Sequence, residues 1–336
     1  MDAKPIPTPR NEFEIVESDR LPDFRLFLVD LSHRNLHLHK EFELCLVLSG
    51  LAEVTVQKGS ERFGAGDFFL VNPKQPHQIH APAGQVVRIL SLQVSPRFFE
   101  KVYPAIRSVE FDRPGIRPGA IAAQEAVAVA DADAGIGASA TGRLRADLLS
   151  LARAYFTSDP YFELDCTARL HTLFRLLLRE VPWHRLSDEE RSSKALRSDR
   201  LRRILEFVEA HATEKVLLSD IALKEDLSLA YLSHFFREHL DMTFQEYLTL
   251  LRYEEAKGLL ERTDLSVFDI GVACGFSDGR YLRKAFQQRL SCAPEDYRQS
   301  IRRQPLSHFE RTSGAVQRIL GPEESLRYLA ELDAGA

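Results

Sequence analysis

No apolar run in this 336-residue sequence approaches the ~18–20 residues that a membrane helix needs, so no membrane span is expected. The opening stretch, MDAKPIPTPRNEFEIVESDR, has no apolar core of the kind a signal peptide carries. Cysteine is scarce: Cys45, Cys166, Cys274 and Cys292 stand far apart and form no C-x-x-C pair. That spacing argues against a zinc ribbon or a disulfide framework and fits a reducing, cytoplasmic compartment. Each cysteine reads as a small buried hydrophobe. A nucleophile triad, a P-loop and a dinucleotide fingerprint are all missing, so no common enzyme class has a motif to support it. An excess of basic charge is missing as well, since the formal net charge is −5.

What is present is ordinary globular material. Hydrophobic residues make up 44% and charged residues 28%, over a length that suits two or three domains. Residues 1–20 are polar and Pro-rich and read as an arm. From 21 to 97, short runs such as AEVTVQ, DFFLV and QVVRILSLQV alternate with turn signals, which points to a small β-barrel. From 98 to 186 the period becomes helical, with Leu144, Leu148, Leu151 and Tyr155 on one helix and Leu170, Phe174, Leu177 and Val181 on another. The second face is wide enough for a core and a partner, so 98–186 is expected to mediate dimerisation. Within it, 119–142 is rich in Ala, Gly and Asp and fits either a helix or a loop. The polar stretch 187–198, SDEERSSKALRS, reads as a linker. Residues 199–303 are helical throughout, and 304–336 form a tail with room for one short helix near LRYLAEL.

The last helical region contains a repeat. SDIALKEDLSLAYLSHFF (219–236) pairs with FDIGVACGFSDGRYLRKAF (268–286). Leu232, Phe236, Leu240 and Tyr247 correspond to Leu282, Phe286, Leu290 and Tyr297, with one residue inserted in the second copy. The shared order is a short helix, a tight break, a polar cap and a second amphipathic helix, which is a helix-turn-helix. Ser228 and Ser277 suit the caps of the second helices, and Ser219 that of the first helix of the first unit. Between the copies, Thr243-Phe-Gln-Glu246 is a capping box that opens a helix to about Arg262. Such a rod of about 30 Å nearly matches the ~34–36 Å between successive major grooves on one DNA face. From 197 to 303, 17 Lys and Arg meet 18 Asp and Glu, so any footprint is local and non-specific affinity modest.

GFSDGRYLRKAFQQRLSCAPEDYR resembles the signature of the AraC/XylS family of bacterial transcription regulators. LSDIALKEDLSLAYLSHFFREHLDMTFQEYL resembles its first helix-turn-helix, and the resemblance covers about 200–303. It implies a cytoplasmic, dimeric regulator, activator or repressor, whose partners are double-stranded promoter DNA, RNA polymerase and a small-molecule effector. It puts groove contacts on Ala230, Ser233 and His234, then on Arg280, Arg283 and Lys284. Arg237 is a candidate phosphate contact beside them. Asp226 departs from the family pattern, standing where a glycine usually makes the first turn, and so do Ser291-Cys292 and the 33-residue tail.

HLHKEFELCLVLSG, with GDFFLVNPKQPH downstream, resembles the cupin family, whose small barrels sometimes hold a metal on two His, a Glu and a third His. The matching positions are His37, His39, Glu43 and His77. Read as one strand, His37, His39, Glu41 and Glu43 share a face opposite Leu36, Leu38, Phe42, Leu44 and Leu46. If the apolar face fills the barrel, the histidines turn away from it, unless a bulge reverses the register. No metal or other cofactor is therefore favoured. The fold expected is an α+β multidomain chain with an N-terminal cupin-like β-barrel, a middle helical region and a C-terminal all-α domain with two helix-turn-helix units. The function expected is sequence-specific transcription regulation rather than catalysis. A metal-dependent cupin enzyme fused to a DNA-binding domain, and a ligand-independent DNA-binding protein, are the alternatives.

Overall fold

The computed structural model describes residues 21, 23–56, 59–82, 85–113, 115–116, 140–240, 242–290, 292–303, 310–312 and 315–334. The expected arm at 1–20 and nearly all of the ambiguous stretch at 119–142 lie outside these residues.

Seven strands open the chain: β1 (Phe24–His37), β2 (Phe42–Ser49), β3 (Leu51–Val56), β4 (Gly59–Gly64), β5 (Phe68–Val71), β6 (His77–His80) and β7 (Val87–Val94). A short helix α1 (Arg97–Glu100), a 3-10 turn at Pro104–Ser108 and the short strands β8 (Val109–Phe111) and β9 (Gly115–Ile116) follow. The sheet order β4-β3-β6-β1-β7-β2-β5-β9 curls into a nearly closed antiparallel barrel.

The central strands are buried on both faces, and this overturns the one-face reading of the sequence. Phe42, Leu44 and Leu46 of β2 point outward and pack under two helices, α2 (Ala140–Thr157) and α3 (Phe162–Glu180). Cys45 and Val47 point inward, against Val29, Leu31, Phe63, Phe69 and Ile89. A strand covered on both sides is apolar at most positions, so its hydrophobic pattern alone does not reveal its inner face. The outward face also consumes Leu170, Phe174, Leu177 and Val181, which are at most 5% exposed inside this intrachain core.

After the short strand β10 (Trp183–Arg185) comes α4 (Asp188–Ala210), opened by a reciprocal capping box between Ser187 and Glu190. The stretch 187–198, expected as a linker, is thus the cap and first half of a continuous helix. Its polarity reflects a solvated helix face. Its second half supplies Leu201, Ile204, Leu205 and Val208 to the core of the first repeat unit.

That core also holds α5 (Leu218–Glu225) and α6 (Leu229–Leu240), and α7 (Phe244–Arg262) runs on to α8 (Val267–Ala273), α9 (Gly279–Leu290) and α10 (Pro294–Arg303). Tyr247 of α7 donates its hydroxyl to Glu209 at the end of α4, and Tyr297 of α10 donates to Glu261 at the end of α7. The repeat is therefore longer than its two helix-turn-helix segments. Each unit is a four-helix piece, and α7 closes the first while it opens the second.

The tail holds more than the one helix expected. A hairpin of β11 (Glu310–Thr312) and β12 (Ala315–Ile319) adds β12 antiparallel to β1, with Val29 opposite Ile319, and α11 (Pro322–Ala334) packs on α2. The helical repeat is thus tied at both ends to elements of the barrel half.

Candidate functional site

Two constellations stand out: the outer faces of α6 and α9, and a histidine cluster inside the barrel. In α6 the core takes Leu232, Phe235, Phe236 and Leu240. Ala230, Ser233, His234 and Arg237 are left exposed on the other side. In α9, Leu282, Ala285 and Phe286 are buried, while Arg280, Arg283 and Lys284 are exposed. All seven residues singled out from the sequence are therefore accessible on the surface of their two helices.

The caps differ in part from expectation. Ser228 accepts from the Tyr231 amide as foreseen. In the second unit Asp278, not Ser277, accepts from the Arg280 amide at 2.8 Å, because α9 begins one residue later than the repeat suggested. In α5 the Leu217 amide donates to the Asp220 carboxylate, and Ser219 lies inside the first turn.

The units are locked to each other. Gly275 sits at φ +79, and a Cβ there would meet the Thr213 carbonyl oxygen at 2.4 Å, so only glycine lets the second turn lie against the α4–α5 connection. Arg252 of α7 donates to the carbonyls of Ala212 and Glu214 in the same connection. Asp226 takes the matching position of the first unit in the left-handed region, at φ 53 and ψ 53.

Two carboxylates escaped the sequence reading. Glu295 of α10 holds Arg283 with two hydrogen bonds, at 2.6 and 2.9 Å. Asp278 holds Arg280 at 2.9 Å, and the guanidinium in turn keeps the Asp278 carboxyl below its usual range. Both arginines are matched with acids in the protein alone, which accounts locally for the balanced charge of the whole region.

In the barrel, the apolar face of β2 lies outward, so the face shared by His37, His39 and Glu43 turns inward without a reversal. The β1–β6 register shifts between Arg34 and His37, and the chain turns through 38–41 before β2 begins. His37, His39, Glu43 and His77 all come to lie inside, at most 4% exposed, and one ligand atom from each lies within 4.8 Å of the others.

The histidine orientations are fixed from behind. Each Nδ1 faces a backbone carbonyl: Asn35 at 2.9 Å for His37, Glu41 at 3.1 Å for His39 and Gln75 at 3.0 Å for His77. A carbonyl only accepts, so each Nδ1 carries the hydrogen, and each neutral ring has its lone pair on Nε2. The Nε2 atoms of His39 and His77 both stand 3.1 Å from Glu43 Oε2. Lone pair would then face lone pair, unless added protons or a cation fill the centre. On the far side Ser91 Oγ donates to Glu43 Oε1 at 2.6 Å, with Gln93 Nε2 behind it.

Burial first, and then the neighbouring His77, push His37 well below the ordinary imidazole range. Burial works to raise Glu43, but donation from His39 and His77, when their Nε2 atoms also carry protons, outweighs it and holds the carboxyl well below its usual range. Three neutral imidazole nitrogens and a carboxylate suit a divalent transition metal, with bonds of about 2.0–2.2 Å. The second-row contacts are of the kind that orient metal ligands. Ser91 and Gln93 were missed; their signal is polarity at alternate positions of the otherwise apolar QVVRILSLQV.

Between the start of β2 and α4 lies a cleft of about 550 Å³ whose lining mixes Lys40, Lys74, Arg97, Arg107, Arg191 and Lys194 with Asp23, Glu41 and Glu100.

Comparison with known proteins matches residues 28–205 to the family described as AraC-like ligand binding domain, and residues 221–300 to one described as Helix-turn-helix domain. The Msm operon regulatory protein of Streptococcus mutans is 29% identical over 139 residues, which are 41% of this chain and 49% of that protein. The uncharacterized HTH-type transcriptional regulator YdeC of Bacillus subtilis is 23% identical over 265 residues, 78% of this chain and 85% of that one. The HTH-type transcriptional activator RhaS of Citrobacter koseri is 37% identical over 100 residues, 30% of this chain and 36% of that one. The chain spans half or less of the length of the first and third of these relatives.

Proposed function

The chain belongs to the AraC family of ligand-sensing, DNA-binding transcription regulators, and from that premise we propose that α6 and α9 enter two successive major grooves of promoter DNA. The observation that carries this reading is the matched exposure of Ala230, Ser233 and His234 on α6 and of Arg280, Arg283 and Lys284 on α9. The 19-residue α7 joins the two units. Arg283 reads a guanine edge, as a bidentate donor to O6 and N7, after leaving Glu295. Arg237 and Lys284 hold phosphates.

RNA polymerase and a second copy of the chain complete the proposed partners, in the cytoplasm where the DNA lies. Among the described residues no helix is long and apolar enough to cross a membrane. The dimer contact must use some face other than Leu170, Phe174 and Leu177, which are already buried in the chain's own core. A small organic effector has a place in the cleft beside α4, whose lining sets Lys40, Lys74 and Arg97 beside Asp23, Glu41 and the Arg107–Glu100 pair.

Selection of bound duplexes from a random pool tests the main reading. It is expected to return one sequence with two conserved blocks a helical turn apart. A pool that stays unenriched overturns it.

A second reading attaches to the barrel, and the convergence of four ligand atoms within 4.8 Å favours it. His37, His39, Glu43 and His77 hold a divalent transition-metal ion, which supplies the positive charge that the facing lone pairs require. Elemental analysis of the purified full chain is expected to find about one such ion, lost in His37→Ala and His77→Ala. A metal-free chain that also fails to take up added Zn²⁺ or Mn²⁺ would contradict it.

A further inference from the structure

The histidine cluster lies back to back with the contact between the barrel and the DNA-binding helices. Along Leu36–His39 the side chains alternate: His37 and His39 enter the cluster, while Leu36 and Leu38 leave it on the opposite side. Leu38 is 3% exposed and sits in the core of the first helical unit, beside Leu205, Phe236, Tyr247 and Leu251, with Leu36 packed against the same group. The third histidine repeats the pattern. His77 faces inward, and the next residue, Gln78, lines a small gap with Asn35 and Leu36 against Leu240, Met242, Tyr247 and Leu250. A few residues along β1 and β6, the stacked His33 and His80 lie beside α7, and His33 Nε2 stands 3.4 Å from Glu254.

Each of the three histidines is thus one peptide unit from a residue seated on the helices that read DNA. The link is stiff, because the carbonyl that orients His37 belongs to Asn35, whose own side chain lies in the contact. The Asn35 amide nitrogen is buried without a protein hydrogen-bond partner.

We infer that occupation of the histidine cluster by a divalent metal ion is transmitted through Leu36, Leu38 and Gln78 to α7, and so sets the DNA affinity of both reading units together. The inference rests on the metal reading of the barrel and adds its regulatory consequence. Ligand atoms now as far as 4.8 Å apart must draw to within about 3.0–4.2 Å around an ion with bonds near 2.1 Å. Backbone displacements of several tenths of an ångström then reach residues that are packed, not solvated. A packed contact answers such a displacement by reseating. Because α7 belongs to both units, the change reaches α6 and α9 alike.

The test uses the full chain with its selected operator, stripped by chelator and then reloaded with Zn²⁺ or Mn²⁺ alone. Metal uptake is measured by calorimetry, operator affinity by titration, and seating by hydrogen exchange of residues 240–254. The expected result is a metal-dependent change in affinity of about five-fold or more, with altered exchange in that segment. In Leu38→Ala, uptake should persist while the affinity ratio falls toward one. Gln78→Ala, a milder change, should reduce the ratio in part and covers the case in which Leu38→Ala does not fold. Metal uptake with no change in affinity or exchange overturns the coupling and leaves the metal reading standing. Failure to take up metal at all sinks both. A ratio unaltered in Leu38→Ala and Gln78→Ala removes these residues as the route.

Discussion

The two reading units share one plan and differ in how they are held and charged. The first turns through Asp226 and presents Ala230, Ser233 and His234. The second turns through Gly275 and presents Arg280, Arg283 and Lys284. Its arginines are matched with Asp278 and Glu295 before any DNA arrives. A cationic head neutralised by its own neighbours attracts DNA weakly at random. It gains only where a base edge or phosphate replaces the carboxylate. The α6 face carries the small Ala230 and Ser233 with His234 and a single arginine, Arg237, and on the proposed reading it asks chiefly for shape. The pair suggests a division of labour, with discrimination concentrated in the second unit and fit in the first.

The largest effect should come from severing the units. Ala256 is fully buried in α7, against Ile270, Leu282 and Phe286 of the second unit's core. Ala256→Pro removes a helix donor and forces a clash, at a cost of about 3 kcal/mol or more, and should leave the two heads unable to bind together. Ala256→Gly, at about 1 kcal/mol, should keep the joint footprint. Circular dichroism, then operator titration of both variants, checks this. Equal affinities would mean that α7 does not set the spacing.

The turns provide the next contrast. Gly275→Ala puts a methyl group 2.4 Å from the Thr213 carbonyl at a positive φ, and should cost about 2–3 kcal/mol of stability. Asp226→Gly relieves a non-glycine residue at φ 53, and should lie within about 1 kcal/mol of neutral, on the stabilising side. Denaturant midpoints decide. Equal losses at the two positions would show that the turns are equivalent after all.

The turns also mark how far the sequence could be read. The repeat made the second half legible, because Ile221 and Ile270, Phe236 and Phe286, and Tyr247 and Tyr297 recur in register, and so does the exposed face of each second helix. Its weak points were local. One inserted residue moved the α9 cap from Ser277 to Asp278, and a charged stretch read as a linker proved to be half of α4. Acids brought in from another helix, as Glu295 is, leave no trace in a local pattern.

The barrel half was legible as strands but not as faces. Leu44 and Leu46 serve an outer core under α2 and α3, so the apolar face that seemed to define the inside defines the outside instead. The return of β12 to β1 is a pairing across nearly 300 residues that no local period records. The spacing of His37, His39, Glu43 and His77 did carry the cluster, by resemblance. The register shift between Arg34 and His37 sets His37 opposite His77.

A finer contrast lies within the heads. Arg283→Ala should cost about 1–3 kcal/mol on the operator and relax preference at one base pair. Ser233→Ala should cost less than about 1 kcal/mol. Glu295→Gln, which frees Arg283 from an exposed pair worth roughly 0.2–1 kcal/mol, should tighten binding slightly to all sequences and so lower discrimination. Titration against single-base operator variants separates the three. A Glu295→Gln protein that binds more weakly would mean that the carboxylate positions Arg283 for DNA and does not restrain it.

Chemical protection of the selected operator by the full chain, compared with Arg283→Ala, tests the central claim most directly. The account predicts two protected major-groove patches on one face, about 34–36 Å apart. In the variant, guanine protection should disappear from one patch only, the other remaining intact. A single patch, or the simultaneous loss of both in Arg283→Ala, would contradict two reading heads of separate duty carried on one helix.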